Sequence, residues 1–427
     1  MQRRRWGTTL LSAALVLCAC GGDDDTADTA EQADTAETET TAEDTADENS
    51  DDESSDATSE TTPPTDDTAE TGESESTEET GTTEETTAPT DTTVSEPPAP
   101  TESLDDLAAE AEGENTLVVY GNPSDRIWEP VLAAFAEAYP SIEVETFDLG
   151  GLEAFQRYLS ESSSGVATAD VLITSEGDGW LDLVERGEVL DFQPPALAEL
   201  PDFALQAPGV YSMAVDPLVA MYNQFVIPPE EQPTSLADLA AMAPDIDGNV
   251  GTVEIENSQA YTGNYGYIMA NGDEAWATLE AIGPHTRAES GTGALLDKAT
   301  NGEYPASFFV SGAIRLLLDT AEQGEVLDYQ YLTDATPLVP RGMGIAAKAD
   351  SPASAKLFVN WLLSADGQAA SCQGGLTSYR ADVECEYGYA AIAEIIGEEN
   401  MNVVNYDAAA TAERDAIQSR WNEAFGR

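Results

Sequence analysis

Short apolar strands and amphipathic helices alternate through most of this chain, and this alternation restricts its fold more than any other feature. Residues 117–120 form a continuous apolar strand, and Ile127, Val131 and Phe135 share one face of the helix that follows. A strand that returns through a helix to a neighbouring strand favours a parallel sheet with right-handed crossovers. The pattern therefore predicts an α/β fold.

The same alternation continues to about residue 363. Further strands are predicted at 142–147, 170–174, 211–222, 250–255 and 336–347. Further helices are predicted at 152–160, 180–186, 235–242, 261–270, 276–282 and 354–363. From residue 113 onward the chain is longer than one hydrophobic core usually supports, so we expect more than one lobe.

Residues 1–19 have the features of a bacterial export signal. A basic start at positions 3–5 precedes an apolar run over 10–17, which is too short to span a bilayer. The Leu-Cys-Ala-Cys segment at 17–20 resembles a lipobox, which predicts cleavage before Cys20 and a lipid anchor on its thiol. An ordinary secretory signal is the alternative.

Residues 20–112 are predicted to form a disordered tether. Between Gly21 and Pro100 there are 28 acidic residues, no basic residue and no aromatic residue. Such a segment buries too little apolar surface to offset the lost chain entropy, and its like charges extend it. From Gly113 to Arg427 the chain still holds 49 acidic against 13 basic residues. That balance disfavours nucleic acid as a partner and favours a monomer that repels its copies.

Cys372 and Cys385 are the cysteines that remain after the signal. In an exported protein this pair predicts a disulfide across a glycine-containing loop. A metal pair is the alternative, but no Cys-x-x-Cys spacing accompanies it, and the single histidine, His285, is distant in sequence.

The sequence favours binding over catalysis. His285 lies in a turn, and neither a Gly-x-Ser-x-Gly elbow nor a His-Glu-x-x-His helix is present. An exported hydrolase would need a tuned acid, base or nucleophile that the sequence does not single out. A sensory or surface-interaction protein is the other alternative.

Several blocks of sequence, taken in their order, resemble the ferric-binding class of bacterial extracellular solute-binding proteins, the receptors of ABC importers. These blocks are 117–120, 133–140, 169–171, 183–187, 216–223, 337–346 and 355–368. The resemblance implies a type II periplasmic-binding-protein fold, in which two α/β lobes are joined by two crossing strands. It assigns 113–215 to lobe one, 216–335 to lobe two, and 336–427 to a return to lobe one with C-terminal helices. It also implies that the protein delivers a small molecule or ion to a membrane permease.

Candidate ligand-binding residues in lobe one follow predicted strands, where open α/β sheets bind ligands. Asn122 and Ser124 follow the first strand, although Ser124 is equally suited to capping its helix. Ser175, Glu176 and Asp178 follow the third strand, where some ferric-binding relatives place a metal-coordinating carboxylate. A solvated acidic loop is the alternative.

In lobe two, Asn257, Ser258 and Tyr261 open a helix at a position where relatives hold an anion. Ser290 and Thr292 belong to a loop of small residues whose backbone would approach a phosphate or carboxylate. Ordinary helix capping is the alternative for both groups.

Arg126 and Arg380 are candidates for bidentate binding of a phosphonate or carboxylate. The alternative is a salt bridge within a protein rich in acidic groups. Arg380 lies in the loop that the predicted disulfide would brace.

A ferric site would use Glu176 and Tyr304. Ferric-binding relatives supply neighbouring tyrosines from the second lobe, whereas this chain has Phe308 and Phe309 in the corresponding region, and phenylalanine cannot ligate a metal. We expect these two side chains to lie in the core or the cleft wall. No resident cofactor is predicted, and the ligand stays open among ferric ion, a phosphonate or phosphate ester, a polyamine and a small carboxylate.

Overall fold

The computed structural model describes residues 103–246 and 249–427. The predicted signal, Cys20 and most of the predicted tether lie outside these residues. Helices and strands follow one another in the order α1 Leu104–Ala111, β1 Leu117–Gly121, α2 Asp125–Ala138, β2 Val144–Asp148, α3 Gly151–Ser164, β3 Val171–Thr174, α4 Gly177–Glu185, β4 Leu205–Ala207, β5 Val210–Asn223, α5 Leu236–Met242, β6 Val250–Val253 and α6 Ser258–Asn271. They continue as α7 Asp273–Ile282, β7 Thr286–Glu289, α8 Thr292–Thr300, β8 Ala306–Ser311, α9 Ile314–Thr320, β9 Leu327–Gln330, β10 Thr336–Ile345, α10 Pro352–Leu363, α11 Ala365–Gln373, α12 Tyr389–Ile396, β11 Met401–Val403 and α13 Ala408–Ala424.

Residues 104–111 were predicted to belong to the disordered tether, and that prediction was wrong because they form helix α1. The Ser103 hydroxyl caps this helix by accepting from the Asp106 amide at 3.1 Å. Leu107 and Ala111 are buried in the core of the first lobe. Two apolar residues one helical turn apart therefore suffice to order the last part of the acidic segment.

A continuous sheet runs through the molecule in the order β2-β1-β3-β10-β5-β8-β6-β7. Strands β1, β2 and β3 are parallel, as are β6, β7 and β8 in the other half. Strands β5 and β10 are antiparallel and join the halves, with Pro217 opposite Leu338. The predicted architecture of two lobes joined by two crossing strands is confirmed.

Strand β5 is buried along its whole length because it belongs to both lobes. Its first half, to Pro217, pairs with β10, and its second half pairs with β8 and β9. A strand covered on both faces needs apolar side chains at successive positions, which the segment Leu218–Tyr222 provides.

Each lobe has its own aromatic core. In lobe one, Phe135 of α2 packs against Phe358 and Trp361 of α10. In lobe two, Trp421 of the C-terminal helix α13 stacks on Phe425 and is completely buried. Helix α13 packs on α6 and α7 of lobe two and also touches α4 of lobe one.

Helices α3 and α4 begin one and three residues earlier than the sequence pattern predicts, at Gly151 and Gly177. Glycine is a poor helix former, so the apolar periodicity becomes visible only after the first turn. These first turns carry backbone N–H groups without intrahelical partners. No helix in the described part of the chain is long and apolar enough to cross a bilayer.

Candidate ligand-binding site

Helix starts from both lobes surround a cavity of about 440 Å³. Strands β2 and β3 lead into α3 and α4 in lobe one, and β6 leads into α6 in lobe two. The cavity is lined by Gly150, Gly151, Leu152, Glu153, Glu176, Asp178, Gly179, Glu256, Asn257, Ser258 and Arg414. It thus lies at the carboxyl ends of parallel strands, where open α/β sheets bind ligands, and its size suits a small molecule.

The Glu176 carboxyl group lies against the first turn of α3. A Cβ atom on Gly151 would lie 2.6 Å from Cγ and 2.7 Å from Oε1 of Glu176, so a larger residue here would displace the Glu176 side chain. Burial raises the pKa of Glu176, and the negative charge of Asp178 adds to the shift. The Ser258 hydroxyl and the Arg414 guanidinium oppose it. Glu176 is therefore a carboxylate whose charged form is partly desolvated.

Lobe two contributes Asn257 and Ser258, both predicted from the sequence. Asn257 Oδ1 accepts from the Ala260 amide at 3.2 Å and so caps α6. Ser258 is only 7% exposed, and its Oγ has no hydrogen-bond partner of acceptable geometry in the described part of the chain. This hydroxyl lies beside the Glu176 carboxyl group in the cavity lining, where its oxygen can still accept a hydrogen bond from a ligand.

Arg414 of α13 is a site residue that sequence reasoning missed. Its Nε lies 2.6 Å from Oδ2 of Asp178, and its guanidinium stacks 4.0 Å from the centre of the Tyr261 ring. The Nε–H is not directed at an acceptor within the described residues. Nothing in the sequence around Arg414 marks it, because only folding brings the C-terminal helix to the cavity.

Other predicted residues lie near the strand ends but outside the cavity lining. The Asn122 side-chain oxygen accepts from Arg341, and Ser124 stands at the N-cap of α2 without a side-chain capping bond. Ser175 is buried directly before Glu176. In lobe two, Ser290 is exposed after β7, and Thr292 Oγ1 accepts from the Ser311 amide at 3.4 Å.

The structure places Tyr261 and both candidate arginines in other roles. Tyr261 is buried in the core of lobe two, donates to the Ala410 carbonyl and supports Arg414. Arg380 donates to Glu199 at 2.6 Å and to both oxygens of Asp382, which occupies its guanidinium away from the cavity. Arg126 donates to the Ala313 carbonyl of the other lobe at 3.3 Å.

The residues predicted for a ferric site do not come together. Glu176 lines the cavity, whereas Tyr304 is not among its lining residues and donates instead to Glu289, the last residue of β7. Phe308 and Phe309 are buried in the lobe-two core, as expected. The described residues contain no cluster of three or more His, Cys, Asp or Glu that would hold a metal.

The crossing strands carry a second feature that the sequence did not single out. Asp216 of β5 and Arg341 of β10 form an ion pair with 2.9 Å between Nη2 and Oδ2. The predicted disulfide is present between Cys372 and Cys385 and closes a loop beside this pair. The amide of Thr377 in that loop donates to Oδ1 of Asp216 at 3.4 Å.

Two lobes, two crossing strands and a polar cavity between facing helix starts define a solute-binding protein with a type II periplasmic-binding-protein fold. A model of the family described as bacterial extracellular solute-binding protein matches residues 131–386, more than half of the 427-residue chain. The chain therefore belongs to this extracytoplasmic family.

Similar proteins agree with this assignment. The probable ABC transporter periplasmic-binding protein y4fP of Sinorhizobium fredii is 25% identical over 238 residues, which are 53% of this chain. The chain spans 64% of the length of that relative. The substrate-binding protein of an ABC transporter from Agrobacterium tumefaciens superimposes with a TM-score of 0.65 at 21% identity, over 73% of this chain and 95% of the other. Iron-bound HitA from Pseudomonas aeruginosa superimposes with a TM-score of 0.58 at 20% sequence identity, over 72% of this chain and 99% of HitA.

Proposed function

We propose that this protein is the extracytoplasmic receptor of an ABC importer, which encloses a small solute between its lobes and presents it to a membrane permease. The polar cavity lined by helix starts of both lobes, with Glu176 of lobe one beside Ser258 of lobe two, is the observation that carries the proposal. The family and the ABC-transporter relative support it. A lipid anchor on Cys20 and a monomeric state remain predictions, and both suit a receptor that must meet a permease at the membrane.

Capture of a solute tests this function without knowledge of the ligand. The purified full-length protein is incubated with a small-molecule extract of bacterial cells, desalted and denatured, and the released compounds are identified by mass spectrometry. We expect roughly one solute per chain, as a single-site receptor requires.

Replacement of Gly150 by tryptophan supplies the matched comparison. Gly150 lines the cavity, and it has an ordinary φ of −54° with no atom closer than 3.8 Å to a new Cβ, so a large side chain can start from this position and reduce the space for a solute. Gly113→Trp, where the nearest atom is 3.7 Å away and the site is outside the cavity, is the control. Capture should persist in the control and be lost in Gly150→Trp. A folded wild type that captures nothing would refute the proposal, and capture without stimulation of a permease ATPase would favour a sensory role.

A further inference from the structure

The side chains that line the cavity carry an excess of negative charge. Glu153, Glu176, Asp178 and Glu256 face a single basic lining residue, Arg414. Charges at close range in a partly desolvated cavity interact more strongly than in bulk water. The lining therefore favours a cation over an anion, and it also attracts cations from solution.

Helix starts oppose this preference, because their free N–H groups and dipoles attract anions. At α3, however, the carboxyl group of Glu176 already lies against the first turn. Oε1 of Glu176 lies only 2.7 Å from the position that a Cβ on Gly151 would occupy. A negatively charged solute would have to displace this carboxyl group to reach the first turn of α3.

Arg414, the basic side chain in the cavity lining, is already paired with a carboxylate. Arg414 Nε lies 2.6 Å from Oδ2 of Asp178, and the other oxygen of Asp178 accepts from Thr411 Oγ1 at 2.7 Å. Arg414 is also held against the Tyr261 ring. An anionic solute would therefore have to compete with a preformed ion pair for this guanidinium.

Glu176 and Ser258 are left as neighbouring acceptors. Glu176 forms no ion pair within the part of the chain that the structure describes, and the Ser258 hydroxyl lies close enough to lower the pKa of its carboxyl group. The Ser258 Oγ forms no other hydrogen bond there. A carboxylate accepts several hydrogen bonds and a hydroxyl oxygen accepts as well, so a positively charged N–H donor would satisfy both groups.

We propose that the solute carries a protonated amine whose N–H groups donate to the Glu176 carboxylate and the Ser258 hydroxyl. This inference rests on the proposed receptor function and names the chemical class of its ligand. An ammonium group has three N–H donors, and its bonds to a carboxylate are charge-assisted and stronger than neutral ones. Leu152, exposed at the cavity edge, is available to the carbon chain of such a solute.

Four compounds with the same four-carbon skeleton test the proposal by calorimetry on the full-length protein. They are 1,4-diaminobutane, 4-aminobutanoate, succinate and 1,4-butanediol. We expect saturable binding of at least one amine and none of succinate or the diol. Glu176→Gln should weaken amine binding about tenfold or more, because it removes a charge-assisted hydrogen bond. Ser258→Ala should weaken it several-fold for the loss of a neutral one.

Glu145→Gln is the matched control, because it removes the same charge from an exposed position on β2. Binding should stay within about twofold of wild type there, as expected for a screened surface charge. Saturable succinate binding without amine binding would overturn the proposal, as would no amine binding at all or amine binding that Glu176→Gln leaves intact. If the solute captured from cell extract has no N–H cation, this inference fails while the receptor function stands.

Discussion

The ion pairs Asp216–Arg341 and Asp178–Arg414 occupy contrasting parts of the molecule. The first lies on the crossing strands with side chains 1% and 6% exposed, and it is reinforced by Asn122 and by the Thr377 amide. The second joins α4 of lobe one to α13, with side chains 32% and 21% exposed. Its Nε–H is not directed at an acceptor within the described residues.

The two ion pairs differ because the crossing strands must stay paired, whereas the contact between α4 and α13 must break when the cleft opens. A buried pair with additional hydrogen bonds fixes the crossing strands, because breaking it would leave a charge in the interior. A partly exposed pair whose Nε–H is not directed at an acceptor contributes less to stability than a buried and fully hydrogen-bonded one. Because α13 packs on lobe two, we infer that opening of the cleft breaks Asp178–Arg414 and leaves Asp216–Arg341 intact.

Removing one partner from each pair gives the largest expected contrast. Asp216→Ala should lower the free energy of unfolding by roughly 3–5 kcal/mol, because Arg341 would be left buried and unpaired. Asp178→Ala should lower it by only about 0.2–1 kcal/mol. Urea unfolding of both variants measures the difference, and equal losses would show that the two pairs have the same structural role.

Loss of the disulfide should lower the free energy of unfolding by less than Asp216→Ala does, and its local effect should be confined to the region of the crossing strands. Replacing Cys372 and Cys385 by serine should cost about 2–4 kcal/mol, because the unfolded chain regains the freedom of the closed loop. The loop also carries the Thr377 amide that donates to Asp216. Hydrogen exchange should therefore increase around β5 and β10, with little change at α13. An equal increase in hydrogen exchange at α13 and at the two crossing strands would contradict the different roles proposed for the two ion pairs.

A change at Glu176 should be smaller and should depend on pH. Burial raises the pKa of Glu176 in the folded protein, so the folded state retains this proton at pH values where the unfolded chain has lost it. The contribution of Glu176 to the free energy of unfolding is therefore greatest at pH values below the pKa of this group in the unfolded chain. It decreases as the pH rises through the pKa in the folded protein. Glu176→Gln should match wild type at low pH and be more stable above that window.

Thermal unfolding of the ligand-free proteins at about pH 4 and pH 8 checks this sign. Glu145→Gln serves again as the control, because it makes the same substitution at an exposed position on β2. A destabilised Glu176→Gln at pH 8 would mean that the carboxylate has a stabilising partner in the folded protein.

Much of the fold was predictable because strand and helix periods are local properties of the chain. The pattern located β5 and β10, and Glu176 and Ser258 became candidates because they follow strands of an α/β sheet. It placed the starts of α3 and α4 too late, since glycine hides the helical period. The hydrogen-bond partners of individual side chains were harder to predict from the sequence. Arg380 and Tyr304 have suitable chemistry for a binding site, but they donate to Glu199 and Glu289 outside the cavity lining.

The alternation of elements, the two lobes, the cysteine pair and the strand ends that line the cavity could all be predicted from the sequence. Each depends on neighbouring residues or on rules that link consecutive elements. Three contacts became visible only in the folded chain: Arg414 pairs with Asp178, Arg341 pairs with Asp216 on the crossing strands, and Ser258 lies beside Glu176. These contacts join residues far apart in sequence, so their geometry is set by packing of whole elements and by no local pattern.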